Sequence, residues 1–181
     1  MKRISFPYAC VLLVGITVAL LAACDSDKKP KSDIIIAEKY VPRKPQPPIR
    51  RQPSHRTEQV QWGGAMYDIV IDQRPDDSLA LVKGDHGQPY VDNRITLTIR
   101  RTDGSTFFHH DVTKKTLDAC LDNIFRRQGI LDGMVYDTIS DGHLRFGLQV
   151  AFPDADDMFL PIRMLIDRQG NFSVARDTDL Y

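Results

Sequence analysis

Leu144, Phe146, Leu148, Val150 and Phe152 recur at strict two-residue spacing, opposed by His143, Arg145, Gly147, Gln149 and Ala151. No other feature constrains the fold as tightly. Successive side chains of a strand point to opposite faces, so this spacing collects the apolar set on one side; a helix would scatter it around the axis. Residues 93–101 repeat the pattern, with Ile95, Leu97 and Ile99 opposed to Arg94, Thr96, Thr98 and Arg100. Residues 159–167 place Leu160, Ile162, Met164 and Ile166 on one face. Tyr67, Ile69 and Ile71 mark an earlier strand, and residues 79–83 another. Apolar residues on one face only are the signature of antiparallel sheet with a single covered side.

The breaks between strands are turn sequences. Asp103-Gly104, Asp141-Gly142 and Gly170-Asn171 each separate two strand-like runs. Asp-Gly suits the positive φ angles of tight hairpins. One stretch has helical period instead: Leu117, Cys120, Leu121, Ile124 and Phe125 share a helix face. Thr113 or Thr116 can cap its start, Gly129 can end it, and Arg126 and Arg127 suit its carbonyl end. The expected class is α+β: a mainly antiparallel, meandering sheet of about eight strands curled around one α-helix near residues 114–128. The alternative is a β-sandwich with one helix.

The N-terminus is built differently. Lys2 and Arg3 precede an uncharged, almost wholly apolar run over residues 4–23, which ends in Leu21-Ala22-Ala23-Cys24. A basic start, an apolar stretch and small residues at a cut site describe a secretory signal peptide. The cysteine directly after the small pair resembles the lipobox of bacterial lipoproteins. That resemblance implies cleavage between Ala23 and Cys24 and a covalent lipid on Cys24, with no other cofactor. Residues 24–60 follow as a Pro-rich tether: Pro30, Pro42, Pro45, Pro47, Pro48 and Pro53 sit among Lys, Arg, Gln and Ser. Such a composition buries too little apolar surface to offset its ordering entropy. As a flexible coil it would span about 35 Å. The expected organisation is thus a signal peptide over 1–23, a lipidated tether over 24–60 and a globular domain over 61–181.

The formal charge of zero conceals an asymmetry. Residues 25–60 hold nine Lys and Arg against five acids, or +4, while residues 61–181 hold thirteen against nineteen, or −6. An acidic globular part lacks the basic footprint that nucleic-acid binding requires. Of the three cysteines, Cys10 leaves with the signal, Cys24 is lipidated and Cys120 is alone. The mature domain is therefore held by its core, without an internal disulfide. A monomer is expected.

Candidate reactive groups are sparse. His109-His110-Asp111 offers metal-ligand types, but adjacent strand residues face opposite ways, and His86 or His143 would have to join them. Asp154, Asp156 and Asp157 form an acidic loop cluster of calcium-ligand type that lacks the spacing of an EF-hand. Asp76-Asp77 follows Arg74-Pro75 like an ordinary turn. Cys120 lies on the apolar helix face, where a free thiol behaves as a small hydrophobe. Trp62, before Gly63-Gly64, is either a stacking aromatic or a packing residue where the tether enters the domain. No nucleophile elbow, phosphate loop, CxxC pair or metalloprotease motif is present.

Tyr90-Val91-Asp92-Asn93-Arg94, Arg101-Thr102-Asp103-Gly104-Ser105, Thr113-Lys114-Lys115 and Asp167-Arg168-Gln169-Gly170-Asn171 together resemble a family of small lipoproteins of Bacteroides-type bacteria, domain of unknown function 4738. The resemblance covers about residues 61–181 and implies no catalytic residues. It implies the cell envelope of a Gram-negative bacterium: Asp25 and Asp27 soon after the cysteine resemble that lineage's signal for display on the outer membrane, the expected anchoring site, whereas in other Gram-negatives Asp directly after the cysteine resembles an inner-membrane retention signal, so the leaflet stays open. The function expected from these readings is a membrane-anchored extracytoplasmic module, non-enzymatic, that binds a protein or a glycan. The competing expectation is a hydrolase using an Asp/His divalent-metal site.

Overall fold

In the computed structural model, residues 46–84, 87–155 and 157–178 are described. Ala23 and Cys24, the tether up to residue 45, His86 and Asp156 lie outside the described residues. In chain order the elements are β1 (Ser54–Trp62), β2 (Ala65–Pro75), β3 (Val82–Lys83), β4 (Pro89–Tyr90), β5 (Asn93–Arg101) and β6 (Thr106–Val112), then a 3₁₀ turn (Asp118–Cys120) and α1 (Asn123–Gln128). β7 (Ile130–Ser140), β8 (His143–Ala151), β9 (Phe159–Ile166) and β10 (Phe172–Arg176) complete the chain.

The strands form two four-stranded antiparallel sheets, ordered β1-β2-β5-β6 and β10-β9-β8-β7, with β3 and β4 as a separate pair. The apolar rows seen in the sequence face each other across these sheets. Ile69, Ile71, Leu97 and Ile99 from the first sheet join Leu144, Phe146, Ile162, Met164 and Ile166 from the second in one buried cluster. Each fully buried aliphatic side chain contributes about 1.5–3 kcal/mol. The fold is thus antiparallel and β-rich as expected, but the cover of each sheet is the other sheet, the arrangement held as the alternative.

The expected helix over residues 114–128 is not one helix. Leu117, Cys120 and Leu121 are buried, but they sit on turns, and Leu121 is extended at φ −88°, ψ 133°. Asp122 then starts a new helix of six residues. Its carboxylate accepts the Ile124 and Phe125 amides at 3.0 Å each. Aspartate competes with helical backbone in mid-helix and favours caps, so Asp122 divides the stretch. Ile124, assigned to the apolar face, is exposed.

The ordered domain also starts earlier than expected. Most of β1 lies within the stretch read as a tether, and it pairs with β2 from Ser54↔Gln73 to Trp62↔Ala65. Only Val60 and Trp62 of β1 are buried, so it carries no apolar alternation. An edge strand rich in polar and charged residues resists pairing with other chains. Upstream of it, Ile49 bridges Tyr90 in parallel.

Side chains stitch the two sheets together at the start of β7. Asn93 Nδ2 donates to Leu131 O at 2.8 Å. Gln73 Nε2 donates to Asp132 O at 3.0 Å. Leu131 N donates to Asp92 Oδ1 at 2.8 Å. A buried strand edge needs such partners. At the opposite end Trp62 Nε1 donates to Gly142 O at 2.8 Å. The tight turns, including Asp141-Gly142 with φ of 49° and 78°, occupy that end. The longer connections after β2, β6 and β8 occupy the other, where the chain enters.

Candidate functional site

A groove of about 940 Å³ opens where the entering chain passes β7, β8 and β9. One wall is the entering segment with Arg50 and Arg51, continued by Arg56 of β1. The floor is the outward face of the second sheet, where strand alternation presents Val135, Gly147, Gln149 and Pro161. Phe159, exposed, closes one end. Gly147 pairs with Val135 on one side and Arg163 on the other. A Cβ there would meet only Val135 Cγ2, at 3.7 Å. Packing and backbone conformation do not require glycine at this position, and its effect is to keep the floor low. Glycine inside a strand often marks close approach by a ligand.

The groove is positive on a negative domain. Its charged lining residues are Arg50, Arg51, Arg56 and Asp132, and with Asp77, which pairs with Arg50, they sum to three minus two, or +1. Residues 46–181 carry sixteen Lys and Arg against twenty acids, or −4. Arg50 is clamped by Asp77, with bonds of 2.9 and 2.6 Å, and that guanidinium holds the Asp77 carboxyl below its ordinary range. Arg51 is held more loosely, 3.3 Å from Asp132 Oδ1. Gln149 Nε2 donates to the other Asp132 oxygen at 2.7 Å. Arg56 is exposed and no described residue bonds its side chain. Two guanidiniums and the Gln149 amide are thus positioned over a flat floor. No His or Cys lines the groove, and its side chains offer charge and hydrogen bonds.

The residues singled out in the sequence lie elsewhere. His109 Nδ1 meets Thr98 Oγ1 at 3.0 Å, whereas His110 packs on Phe172 with centroids 4.6 Å apart. Asp111 accepts Thr96 Oγ1 at 2.7 Å and Arg94 Nη1 at 3.2 Å. The Thr96 bond chiefly holds its carboxyl below the ordinary range. His143 Nδ1 meets Asp141 O at 2.9 Å. Asp154 accepts the Tyr90 hydroxyl, and Asp157 is exposed. Among the described residues no three His, Cys, Asp or Glu side chains are grouped to hold a metal. Trp62 is buried against Tyr67 and Phe107, with centroids 5.5 and 5.6 Å away, so its role is packing. Cys120 is buried, and burial pushes its thiol pKa up.

Sequence reasoning missed Arg51, Arg56, Asp132 and Gln149 because no local motif joins them. The available signal was Gly147, a glycine inside the cleanest strand. The four stretches carrying the family resemblance are structural. Asp92 and Asn93 tie the sheets, Lys114 lies 3.2 Å from Asp92, and Asp103 and Asp167 organise turns.

A family model described as a domain of unknown function, DUF4738, matches residues 35–174. No curated protein matches the chain.

Proposed function

The chain belongs to the DUF4738 family, and on the geometry of the groove we propose that it is a lipid-anchored, extracytoplasmic, monomeric binding module without catalytic activity. Its groove takes an extended ligand bearing several carboxylates. The observation that carries this reading is a groove of net +1, its Arg50–Asp77 pair included, on a −4 domain. Charge complementarity of this kind speeds association and selects partners by sign. The low floor at Gly147 and Pro161 suits a flat or extended chain, and Arg51 and Arg56 supply the carboxylate contacts. An acidic peptide and a uronic-acid glycan share that chemistry. Leu21-Ala22-Ala23-Cys24 supports attachment through Cys24 in the envelope of a Gram-negative bacterium, with the outer membrane as the site. The competing metal hydrolase would need Asp154 to turn towards an ion, and it is instead bonded to Tyr90.

The test is calorimetric titration of the mature chain with an oligogalacturonate and with an oligoglutamate, in parallel at low and moderate salt. Binding of one, weakened by salt and lost in Arg51→Ser/Arg56→Ser, supports the reading and identifies the source. Binding of neither, or binding indifferent to the double substitution, overturns it. The anchor is tested separately: Cys24→Ala should abolish fatty-acid labelling, and undiminished labelling overturns the assignment.

A further inference from the structure

The five most exposed large apolar side chains among the described residues are Leu81, Met158, Ile124, Ile49 and Phe159, at 43–52%. All five sit at the end of the sandwich where the chain enters. Ile49 bridges Tyr90, which pairs with Val82 beside Leu81. Ile124 and Met158 line a common apolar pocket of about 160 Å³ with Lys83 and Asp154. Phe159 follows Met158, and Pro153 lines both this pocket and the larger groove. The five are therefore one rim rather than scattered exposures, and contiguous exposed apolar surface marks an interaction site.

What covers the rim follows from where the chain leads. Ile49 is part of it, and only residues 25–48 separate it from Cys24. We propose that this loop end lies on the lipid surface to which the acylated Cys24 is attached. The inference rests on the anchor in the proposed function. A link of only this many residues holds the rim near the bilayer at an effective concentration on the order of millimolar. Contacts too weak to recruit a free domain then suffice to orient a tethered one. Around the smaller pocket Lys83 is balanced by Asp154, with Asp157 exposed beside it, so the contact there is apolar, and the arginines beside Ile49 line the neighbouring groove. A pocket of about 160 Å³ admits one acyl-chain end. The tight turns, at the other end, point away from the bilayer.

The experiment is amide hydrogen exchange on the acylated mature chain in nanodiscs of zwitterionic phospholipid, against the Cys24→Ser chain in solution. The expected result is protection of about threefold or more in peptides covering residues 81–84, 123–128 and 152–159, with none at the Asp141-Gly142 turn. In acylated Ile124→Asp/Met158→Asp the protection should vanish while nanodisc attachment persists. Acylated chain showing no protection, or equal protection at both ends, overturns the inference and leaves the anchor standing. A chain that mass spectrometry shows to be unacylated overturns both.

Discussion

Lys114 Nζ lies 3.2 Å from Asp92 Oδ2, with the two side chains only 15% and 4% exposed. Oδ1 of the same carboxylate accepts the amides of Asn93 and Leu131, at 2.9 and 2.8 Å. The ammonium also donates to Gly129 O at 2.5 Å and Arg126 O at 3.2 Å. One buried pair thus joins β5, the start of β7 and the C-terminal end of α1. Breaking such a pair leaves an uncompensated charge, at a cost of about 3–5 kcal/mol. Lys114→Met should lower the urea midpoint accordingly, and Asp92→Asn in the same chain should recover part of the loss. A Lys114→Met chain as stable as wild type contradicts this role.

The entering segment is a structural part of the domain. A chain beginning at Glu58 loses the pairing of Ser54 and Thr57 with Gln73 and Val70. It also loses the Ile49 bridge to Tyr90 and the Arg51–Asp132 pair. At about 1 kcal/mol per lost hydrogen bond, it should be several kcal/mol less stable than a chain beginning at Gln46. Differential scanning calorimetry of the two chains decides, and equal melting temperatures would restore the tether reading of residues 46–57.

Acid should loosen the connection after β2 in a defined window. Ser78 donates to Asp76 from both its hydroxyl and its amide, at 2.7 and 2.9 Å, and Arg94 Nε does so at 2.6 Å. These bonds, the serine pair first, lower the Asp76 pKa to about 2. The folded value lies below the unfolded value of about 3.9. The stabilisation is therefore fully present above about pH 4 and is lost as pH falls through about 2. Asp76→Asn should flatten the melting curve's pH dependence within that window and leave it unchanged above pH 5.

Cys120 should behave as a buried hydrophobe. Burial raises its thiol pKa, and the thiolate is the reactive form. A soluble disulfide reagent should label native protein far more slowly than protein in 6 M guanidinium, a condition expected to unfold such a domain. Comparable rates in the two conditions would return the thiol to the list of candidate nucleophiles.

Filling the groove floor separates binding from folding. Gly147→Tyr adds a ring into open groove space, since only Val135 Cγ2 lies within 4 Å of the added Cβ. Removing a strand glycine should leave stability unchanged or raise it by about 0.5–1 kcal/mol. Affinity for the carboxylate ligand should fall at least tenfold. A folded Gly147→Tyr chain that binds normally places the ligand elsewhere.

The sequence by itself determined the strand content, because period-two spacing on β5, β8 and β9 is a local property that survives without knowing what covers it. It also determined the tight turn at Asp141-Gly142, whose backbone angles of 49° and 78° follow from residue type. The layer order was decided by tertiary structure. An apolar face states that something covers it, not whether that is a helix or a second sheet. β1 was invisible because an edge strand with a half-uncovered face has no apolar alternation to display. The helix over residues 114–128 was misread because helical spacing cannot reveal that Asp122 caps a new start. The groove was illegible for the same physical reason. Arg51, Arg56, Asp132 and Gln149 come from three strands and a loop, and only the packing of one sheet beside the other's edge brings their charges to one place.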